Sequence, residues 1–261
     1  MPNNKLLLSL TNTLNQFNLQ NQISLNIDTL RITFSRQYKL DSLKAIGEWV
    51  KLKKIDELYH KAIKRHTTKE LSSAYRLKDE DIFYFNLSDY PKYRKSMLVI
   101  FGITQPHKEP NHQLIDKLIS LFKTITSIDI CYDTPYKPNL ANLEKHYRIT
   151  RYKDTDTYYV NDTGYPMLDR IVIYNKQSKN KLASPLFRIE ATMSVNPKYL
   201  SLLPLDEFKL FLEHMDIKPF TQLDYVKQNR NSFYQSQKHI NAYREAKGEI
   251  TNTKPPVIPL S

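Results

Sequence analysis

Apolar and polar residues alternate along several short segments of the chain, a two-residue period that is typical of half-buried β-strands. The pattern is clear in segment 26–35, where Leu30, Ile32 and Phe34 are separated by polar neighbours. We predict a strand there and seven more at 81–87, 96–103, 127–133, 148–153, 156–161, 169–175 and 186–193.

Helical spacing of apolar residues predicts the other elements. Asp41 and Ser42 can cap a helix that extends to about His66 and has a lysine-rich polar face. Those lysines, which include Lys51 and Lys54, lie either on a solvated surface or against a DNA backbone. Further helices are predicted at 111–125, 140–147, 205–215 and 224–246.

Strands and helices follow one another without regular alternation, which favours the α+β class. We expect a central, mostly antiparallel sheet with helices packed on it. The predicted organisation is an N-terminal arm or short helix at 1–25, an α+β domain at 26–216, and a helix with a disordered, proline-containing tail at 217–261.

The charge balance narrows the class of partner. Lys and Arg total 39 and acidic residues 27, so the net charge of +12 favours a polyanion such as nucleic acid. No apolar run approaches the ~20 residues that span a bilayer, so a membrane partner is not expected. A single cysteine, Cys131, and an N-terminus unlike a signal peptide indicate a cytoplasmic protein. With only 4 glycines, phosphate chemistry would need side chains and metal instead of a glycine-rich loop.

The segment Ser-Ile-Asp-Ile-Cys-Tyr-Asp at 127–133 is the most informative. As a strand it would point Asp129, Cys131 and Asp133 to one face. The two carboxylates would lie ~13 Å apart at their Cα atoms, too far to share one metal ion unless the strand bends. Asp133 can equally begin the turn before Pro135, whereas Asp129 stands in the middle of an apolar strand, where aspartate is unfavourable.

Two later segments add candidate chemistry. In the strand Phe-Arg-Ile-Glu-Ala-Thr-Met, Glu190 beside Asp129 would offer oxygen ligands for Mg²⁺ or Mn²⁺. The alternative is a surface ion pair of Arg188 with Glu190. The hairpin before it places tyrosines beside Arg170 and Lys176, which are candidate phosphate contacts. Tyrosine can attack a phosphate that a metal polarises, but 18 tyrosines leave the choice open on residue type alone.

These three segments in this order, SIDICYD, a hairpin ending in RIVIYNK, and FRIEATM, resemble the replication initiation factor family. That family comprises initiators of certain rolling-circle plasmids and related relaxases of small mobile elements. The resemblance is firm over 127–193 and looser back to Leu30. Two positions depart from the family pattern: Ser127 stands where arginine is usual, and Asn161-Asp162 replaces Gly-Ser after the first hairpin tyrosine.

The resemblance implies a fold related to rolling-circle initiator nucleases. It also implies an enzyme that binds an origin, uses a divalent cation (Mg²⁺ or Mn²⁺) and cuts one DNA strand by tyrosine attack, leaving a 5′-phosphotyrosyl link and a free 3′-OH. By position, Tyr159 matches the hairpin tyrosine, with Tyr158 and Tyr174 as alternatives. Asp129 and Glu190 would hold the metal and Asp133 would assist. Residues implied near the scissile phosphate are Arg170, Lys176 and Arg188.

We therefore expect a DNA nicking and joining enzyme that initiates replication of a bacterial plasmid or mobile element. The expected partners are origin DNA, as a hairpin or single strand, and a second copy of the chain, with a host helicase as a further candidate. Two alternatives stay open. One is a DNA-binding protein on the same fold that does not cut, and the other is an RNA-binding module that uses exposed tyrosines for stacking.

Overall fold

A computed structural model describes residues 4–34, 43–53, 71–87, 96–101, 103, 112–121, 125–180, 182, 184–196 and 203–217. Within these ranges the chain is an α+β protein with one large antiparallel sheet. The strands are β1 Leu25–Phe34, β2 Trp49–Lys51, β3 Leu71–Leu77, β4 Ile82–Leu87, β5 Ser96–Phe101, β6 Ser127–Thr134, β7 Thr150–Arg151, β8 Thr157–Val160, β9 Leu168–Asn175 and β10 Phe187–Ser194. The helices are α1 Asn4–Asn21, α2 His112–Leu121, α3 Leu140–Leu143, α4 Lys176–Asn180 and α5 Leu205–Glu213.

The ten strands follow the order β2-β3-β4-β5-β1-β6-β10-β9-β8-β7 across the sheet. Every neighbouring pair is antiparallel. The two halves of the sheet join along β1 and β6, which are far apart in the sequence. The strands that carry the candidate chemistry, β6, β10, β9 and β8, are consecutive in space, as the sequence motifs require.

One face of the sheet bears the main hydrophobic core, because alternate strand residues there are apolar and helices α1, α2 and α5 cover them. The helical residues buried in this core are Leu10, Leu14, Phe17, Ile115, Leu118, Ile119, Leu205, Phe208, Phe211 and Leu212. The strand residues beneath them include Ile27, Leu30, Ile128, Ile130, Ile171, Ile173, Ile189 and Ala191.

The N-terminal segment, predicted as an arm or a short helix, is helical from Asn4 to Asn21. Helix α1 has 18 residues, and Leu10, Leu14 and Phe17 recur at helical spacing on one side of it. All three are buried in the main core, and each contributes about 1.5–3 kcal/mol by leaving water. The helix is therefore part of the folded unit that the sequence placed at 26–216.

The helix predicted from Ser42 to His66 is wrong at 49–51, where the structure has edge strand β2. Trp49 and Val50 are aromatic and β-branched, which suits a strand, and β2 pairs with β3 with Trp49 opposite Leu77. Strand β3 was not predicted, although it forms a hairpin with β4, because the segment Leu-Ser-Ser-Ala-Tyr-Arg-Leu does not alternate regularly between apolar and polar residues. Residues 54–66, including Lys54, and everything after Ile217 lie outside the described residues.

The other predicted elements that fall on described residues are confirmed with shifts of their ends, while the helix predicted at 224–246 lies outside the described residues. The hairpin strand β7 and helix α3 are shorter than expected, at 2 and 4 residues. Among the described helices, none has both the length and the apolar character that crossing a bilayer requires.

The sheet face opposite the main core changes character from one half to the other. On β3, β4 and β5 it holds a smaller apolar cluster that includes Phe83, Phe85 and Val99. On β1, β6, β10 and β9 it holds charged and hydroxyl side chains instead, and these include every acidic residue that the sequence singled out.

Candidate functional site

Strand register brings the three sequence motifs onto one surface. Asp129, Cys131 and Asp133 share the face of β6 opposite the core, as predicted. On the neighbouring strand, Thr192 pairs with Asp129, Glu190 with Cys131, and Arg188 with Asp133. We call the ionised residues joined on this surface the charged cluster. Its members are Asp28, Arg31, Asp129, Asp133, Lys176, Arg188 and Glu190.

Asp129 is held by an arginine from the next strand. Arg31 Nη1 donates to Asp129 Oδ1 at 2.7 Å and Nη2 to Oδ2 at 2.5 Å, while the Thr192 hydroxyl donates to Oδ1 at 2.7 Å. The pair is buried, with 6% and 7% of the two side chains exposed. Arg31 lies opposite Ser127 in the β1–β6 ladder.

Arg188 joins three carboxylates. Its Nε and Nη2 donate to Asp133 at 2.6 Å each, and Nη1 donates to Asp28 Oδ1 at 2.6 Å. Nη1 also lies 3.9 Å from Glu190 Oε1. Only 2% of the Arg188 side chain is exposed, so its pairing with Glu190 belongs to a buried network and is not the surface pair considered from sequence.

Asp133 is held by two cationic side chains. Lys176 Nζ donates to its Oδ2 at 3.2 Å, in addition to the two bonds from Arg188. Burial alone would raise the pKa of Asp133, but the hydrogen bonds and charges of Arg188 and Lys176 outweigh burial and lower it. Lys176 is itself buried, at 3% side-chain exposure, so it contacts Asp133 rather than the outer surface.

Asp28 was missed by sequence reasoning. The β1–β6 register shifts between Ile27 and Thr29, and the extra residue of this β-bulge is Asp28. A bulge re-aims a side chain, and here the carboxylate reaches Arg188, 160 residues away in the chain. The available signal was the same as for Asp129: an aspartate interrupting an otherwise alternating apolar strand.

Glu190 differs from the other acids because its close partner is a neutral phenol. The Tyr174 hydroxyl donates to Glu190 Oε1 at 2.5 Å. Burial, followed by the negative charge of Asp28, raises the pKa of Glu190 to about 7. Burial and then the charge of Glu190 raise the pKa of Tyr174 well above its usual value, so Tyr174 keeps its proton at neutral pH.

The three candidate tyrosines occupy different environments. Tyr159 pairs with Val172, on the same face as Glu190, and its ring stands edge-on to Tyr152 at 6.1 Å. Tyr158 faces the other way and packs against the main core. Tyr174 lies on the charged side but is 7% exposed. The structure thus brings Tyr159 and Tyr174 to the charged cluster's face, and Tyr158 to the core face.

The basic candidates are also separated. Arg170 pairs with Thr192 on the charged side, and its buried Nε has no hydrogen-bond partner among the described residues. Lys51 is exposed on β2, five strands from β6 in the sheet order, which is ~24 Å at the usual strand spacing. Arg170 is therefore close to the cluster and Lys51 is not.

The cluster can be tested for its fit to the Mg²⁺ or Mn²⁺ that the sequence resemblance implies. Carboxylate oxygens are the ligands these ions prefer. In the described part of the chain, however, no three His, Cys, Asp or Glu side chains are grouped as a ready-made metal site. Asp129 and Asp133 use both oxygens in bonds to cationic side chains. Mg²⁺ is usually held by one or two carboxylates, waters and substrate phosphates, and Glu190 fits this best, because Asp28 already accepts from Arg188 at Oδ1 and from the Thr29 hydroxyl at Oδ2.

Comparison with known proteins adds no family assignment. Neither a scan against protein-family models nor a search of the curated proteins finds a match to this chain. The functional reading therefore depends on the short motifs and on the geometry that surrounds them.

Proposed function

We propose that this protein cuts and rejoins one strand of DNA, with the Tyr159 hydroxyl as the nucleophile. The supporting observation is the cross-strand row Tyr159, Val172, Glu190, in which two strand spacings, ~10 Å, separate the tyrosine and glutamate Cα atoms. Val172 and Tyr159 are both partly exposed, so the surface between the phenol and the carboxylate is open to a ligand. A phosphodiester above Val172 would meet both groups.

The reaction needs one bond made and one broken. The Tyr159 oxygen bonds to phosphorus, the bond from phosphorus to the 3′ oxygen breaks, and the proton lost by the phenol ends on that oxygen. The strand remains attached through a 5′-phosphotyrosyl link, and the reverse reaction rejoins it. Arg170, on the same face, would pair with a phosphate oxygen, because a guanidinium forms strong charge-assisted bonds to phosphate.

A divalent cation, when bound, would polarise the phosphate. We assign its binding to Glu190, together with water and the substrate phosphate, because both oxygens of Asp28 already accept hydrogen bonds from Arg188 and Thr29. In this assignment Asp129 and Asp133 have a positioning role instead. Through Arg31 and Arg188 they fix the side chains of three adjacent strands around the reacting groups.

The test is capture of the covalent product. The purified protein is incubated with a random-sequence library of 3′-labelled single-stranded DNA and Mn²⁺, then denatured, and labelled protein is separated by electrophoresis. We expect labelled protein, because the 5′-phosphotyrosyl link keeps the 3′ part of the strand, and mass spectrometry should find the nucleotide on Tyr159. The Tyr159→Phe variant should give at least a hundredfold less adduct.

Tyr158→Phe is the matched control, because it removes the neighbouring hydroxyl from the opposite face of the same strand. It should leave adduct formation nearly unchanged. An adduct on Tyr158 or Tyr174, or equal loss in both phenylalanine variants, would refute the assignment of Tyr159.

A second candidate function is DNA binding without cutting. One observation favours it: three of the four carboxylates in the charged cluster are in ion pairs of 3.2 Å or less, as in a network that serves stability alone. DNA binding with no adduct in Mg²⁺ or Mn²⁺ would support this second function over the first.

A further inference from the structure

A cleft of about 480 Å³ opens at the β7 edge of the sheet, beside the proposed nucleophile. Residues 146–148 and Thr150 form one wall, and residues 161–164, which connect β8 to β9, form the other. Thr150 is the ladder partner of Tyr159. A strand of DNA whose phosphate reached Tyr159 would therefore have its neighbouring nucleotide at this cleft, and the volume lies in the range of small-ligand sites.

The first wall presents rings that are supported from behind. His146 stacks on His214 with centroids 3.9 Å apart and planes 8° from parallel, and Tyr147 packs on Phe211 at 4.8 Å. Burial and then the charge of His146 lower the pKa of His214, so its ring stays neutral at neutral pH. Aromatic surfaces held in this way are suited to stacking against an unpaired base.

The second wall presents hydrogen-bonding groups on a fixed turn. Asp162 Oδ1 accepts from the Gly164 amide at 3.2 Å, and the Thr163 hydroxyl donates to the Leu168 carbonyl at 2.5 Å. Gly164 has φ +73°, a left-handed conformation that glycine adopts without strain. The exposed Asn161 and Asp162 side chains are thus carried on a turn that needs little rearrangement on binding.

The mixture of charges indicates which part of a nucleotide the cleft takes. A carboxylate at Asp162 repels a phosphate but accepts hydrogen bonds from a base amino group. Arg148, on the opposite wall, is exposed and suited to the backbone phosphate. A paired base inside a duplex could not enter such a cleft, so the nucleotide must be unpaired.

We propose that this cleft binds one unpaired nucleotide of the DNA strand beside the phosphate that Tyr159 attacks, and that Asp162 favours a base with an amino group, such as cytosine, over thymine. The identity of the polymer as DNA rests on the proposed function.

The test is fluorescence anisotropy with labelled oligocytidylate and oligothymidylate of about twelve nucleotides, in EDTA so that cutting does not interfere. We expect the wild-type protein to bind oligocytidylate about tenfold more tightly than oligothymidylate, because cytosine carries an amino group that can donate to Asp162 and thymine does not. Asp162→Asn keeps an acceptor for the Gly164 amide but adds a donor, so the preference should be lost.

Asp154→Asn is the matched control, because it makes the same charge change at an exposed residue of the β7–β8 turn that does not line the cleft. It should keep the tenfold preference. A second pair tests the phosphate contact: Arg148→Ala should weaken binding to both strands more than Lys145→Ala does.

Three results would overturn the proposal: no base preference in the wild-type protein, equal effects of Asp162→Asn and Asp154→Asn, or tighter binding of oligocytidylate RNA than of its DNA counterpart. These outcomes are independent of adduct formation. A base preference lost in Asp162→Asn without any covalent adduct would support the cleft and refute the nicking function. A covalent adduct with no base preference would support the nicking function and refute the proposal for the cleft.

Discussion

Glu190→Gln should change the pH dependence of folding stability in a direction that the charged cluster fixes. Glu190 is half-buried near Asp28 and accepts a hydrogen bond from Tyr174, and its pKa is raised from 4.5 to about 7. Glutamine has the same shape as the protonated glutamate and can still accept the Tyr174 hydroxyl. The substitution therefore removes one titration while disturbing the packing little.

The sign follows from the two pKa values. Between about 4.5 and about 7 the folded protein holds a proton on Glu190 that the unfolded chain has released. The stabilisation from this group is thus complete at low pH and is lost as the pH rises through the folded-state pKa. At about 1.4 kcal/mol per pH unit, and with 20% of the Glu190 side chain still exposed, the loss is on the order of 2–3 kcal/mol.

The assay is urea unfolding of both proteins in EDTA, near pH 5 and near pH 8. Glu190→Gln should match the wild-type protein near pH 5 and be more stable near pH 8 by on the order of 2–3 kcal/mol. Glu144→Gln, at an exposed glutamate just after α3, should show no such pH-dependent difference. If the difference in free energy of unfolding between Glu190→Gln and the wild-type protein is the same at both pH values, the raised pKa of Glu190 is wrong.

Two further predictions concern the other members of the cluster. Arg188→Met should lower the free energy of unfolding in urea by about 3–5 kcal/mol, because Asp28 and Asp133 lose the guanidinium that pairs with them. Adding Asp133→Asn should recover part of that loss. An unchanged urea midpoint for Arg188→Met would contradict the central role of Arg188 in the charged cluster. In calorimetric titration with Mn²⁺, Glu190→Gln should bind at least tenfold more weakly than the wild-type protein while Asp129→Asn retains binding, and the opposite ranking would return the ligand role to Asp129.

Local patterns predicted most of the fold because most of the strands are half-buried. Alternation at 127–133 and 186–193 gave the strands and the correct face for each acidic residue. The same reasoning failed at Trp49 and Val50, whose spacing also fits a helix. There a long-range pairing with β3 decides the conformation, and no local period carries that information.

The candidate site was predictable in its parts but not in its connections. Asp129 and Glu190 stand out as acidic residues within apolar strands, whereas Tyr159 was singled out from its neighbours only by the family resemblance. The contacts of Arg31 with Asp129 and of Asp28 with Arg188 join residues 98 and 160 positions apart. They depend on the register of β1 in the centre of the sheet and on a bulge, neither of which a single segment specifies.

The charges of the cluster help to distinguish a network that only stabilises the fold from one that takes part in a reaction. It contains four carboxylates, on Asp28, Asp129, Asp133 and Glu190, and three cations, on Arg31, Lys176 and Arg188. With Arg170 on the same face the charges balance, but Glu190 has only the long contact to Arg188 and a raised pKa, and it lies in the cross-strand row of the partly exposed Tyr159. Because a buried charge without a close ion pair is costly, Glu190 either keeps its proton at low pH or, once the pH exceeds its raised pKa, is stabilised by a bound cation. A half-buried carboxyl group of this kind near the accessible Tyr159 phenol supports the proposed nicking function over a purely structural role.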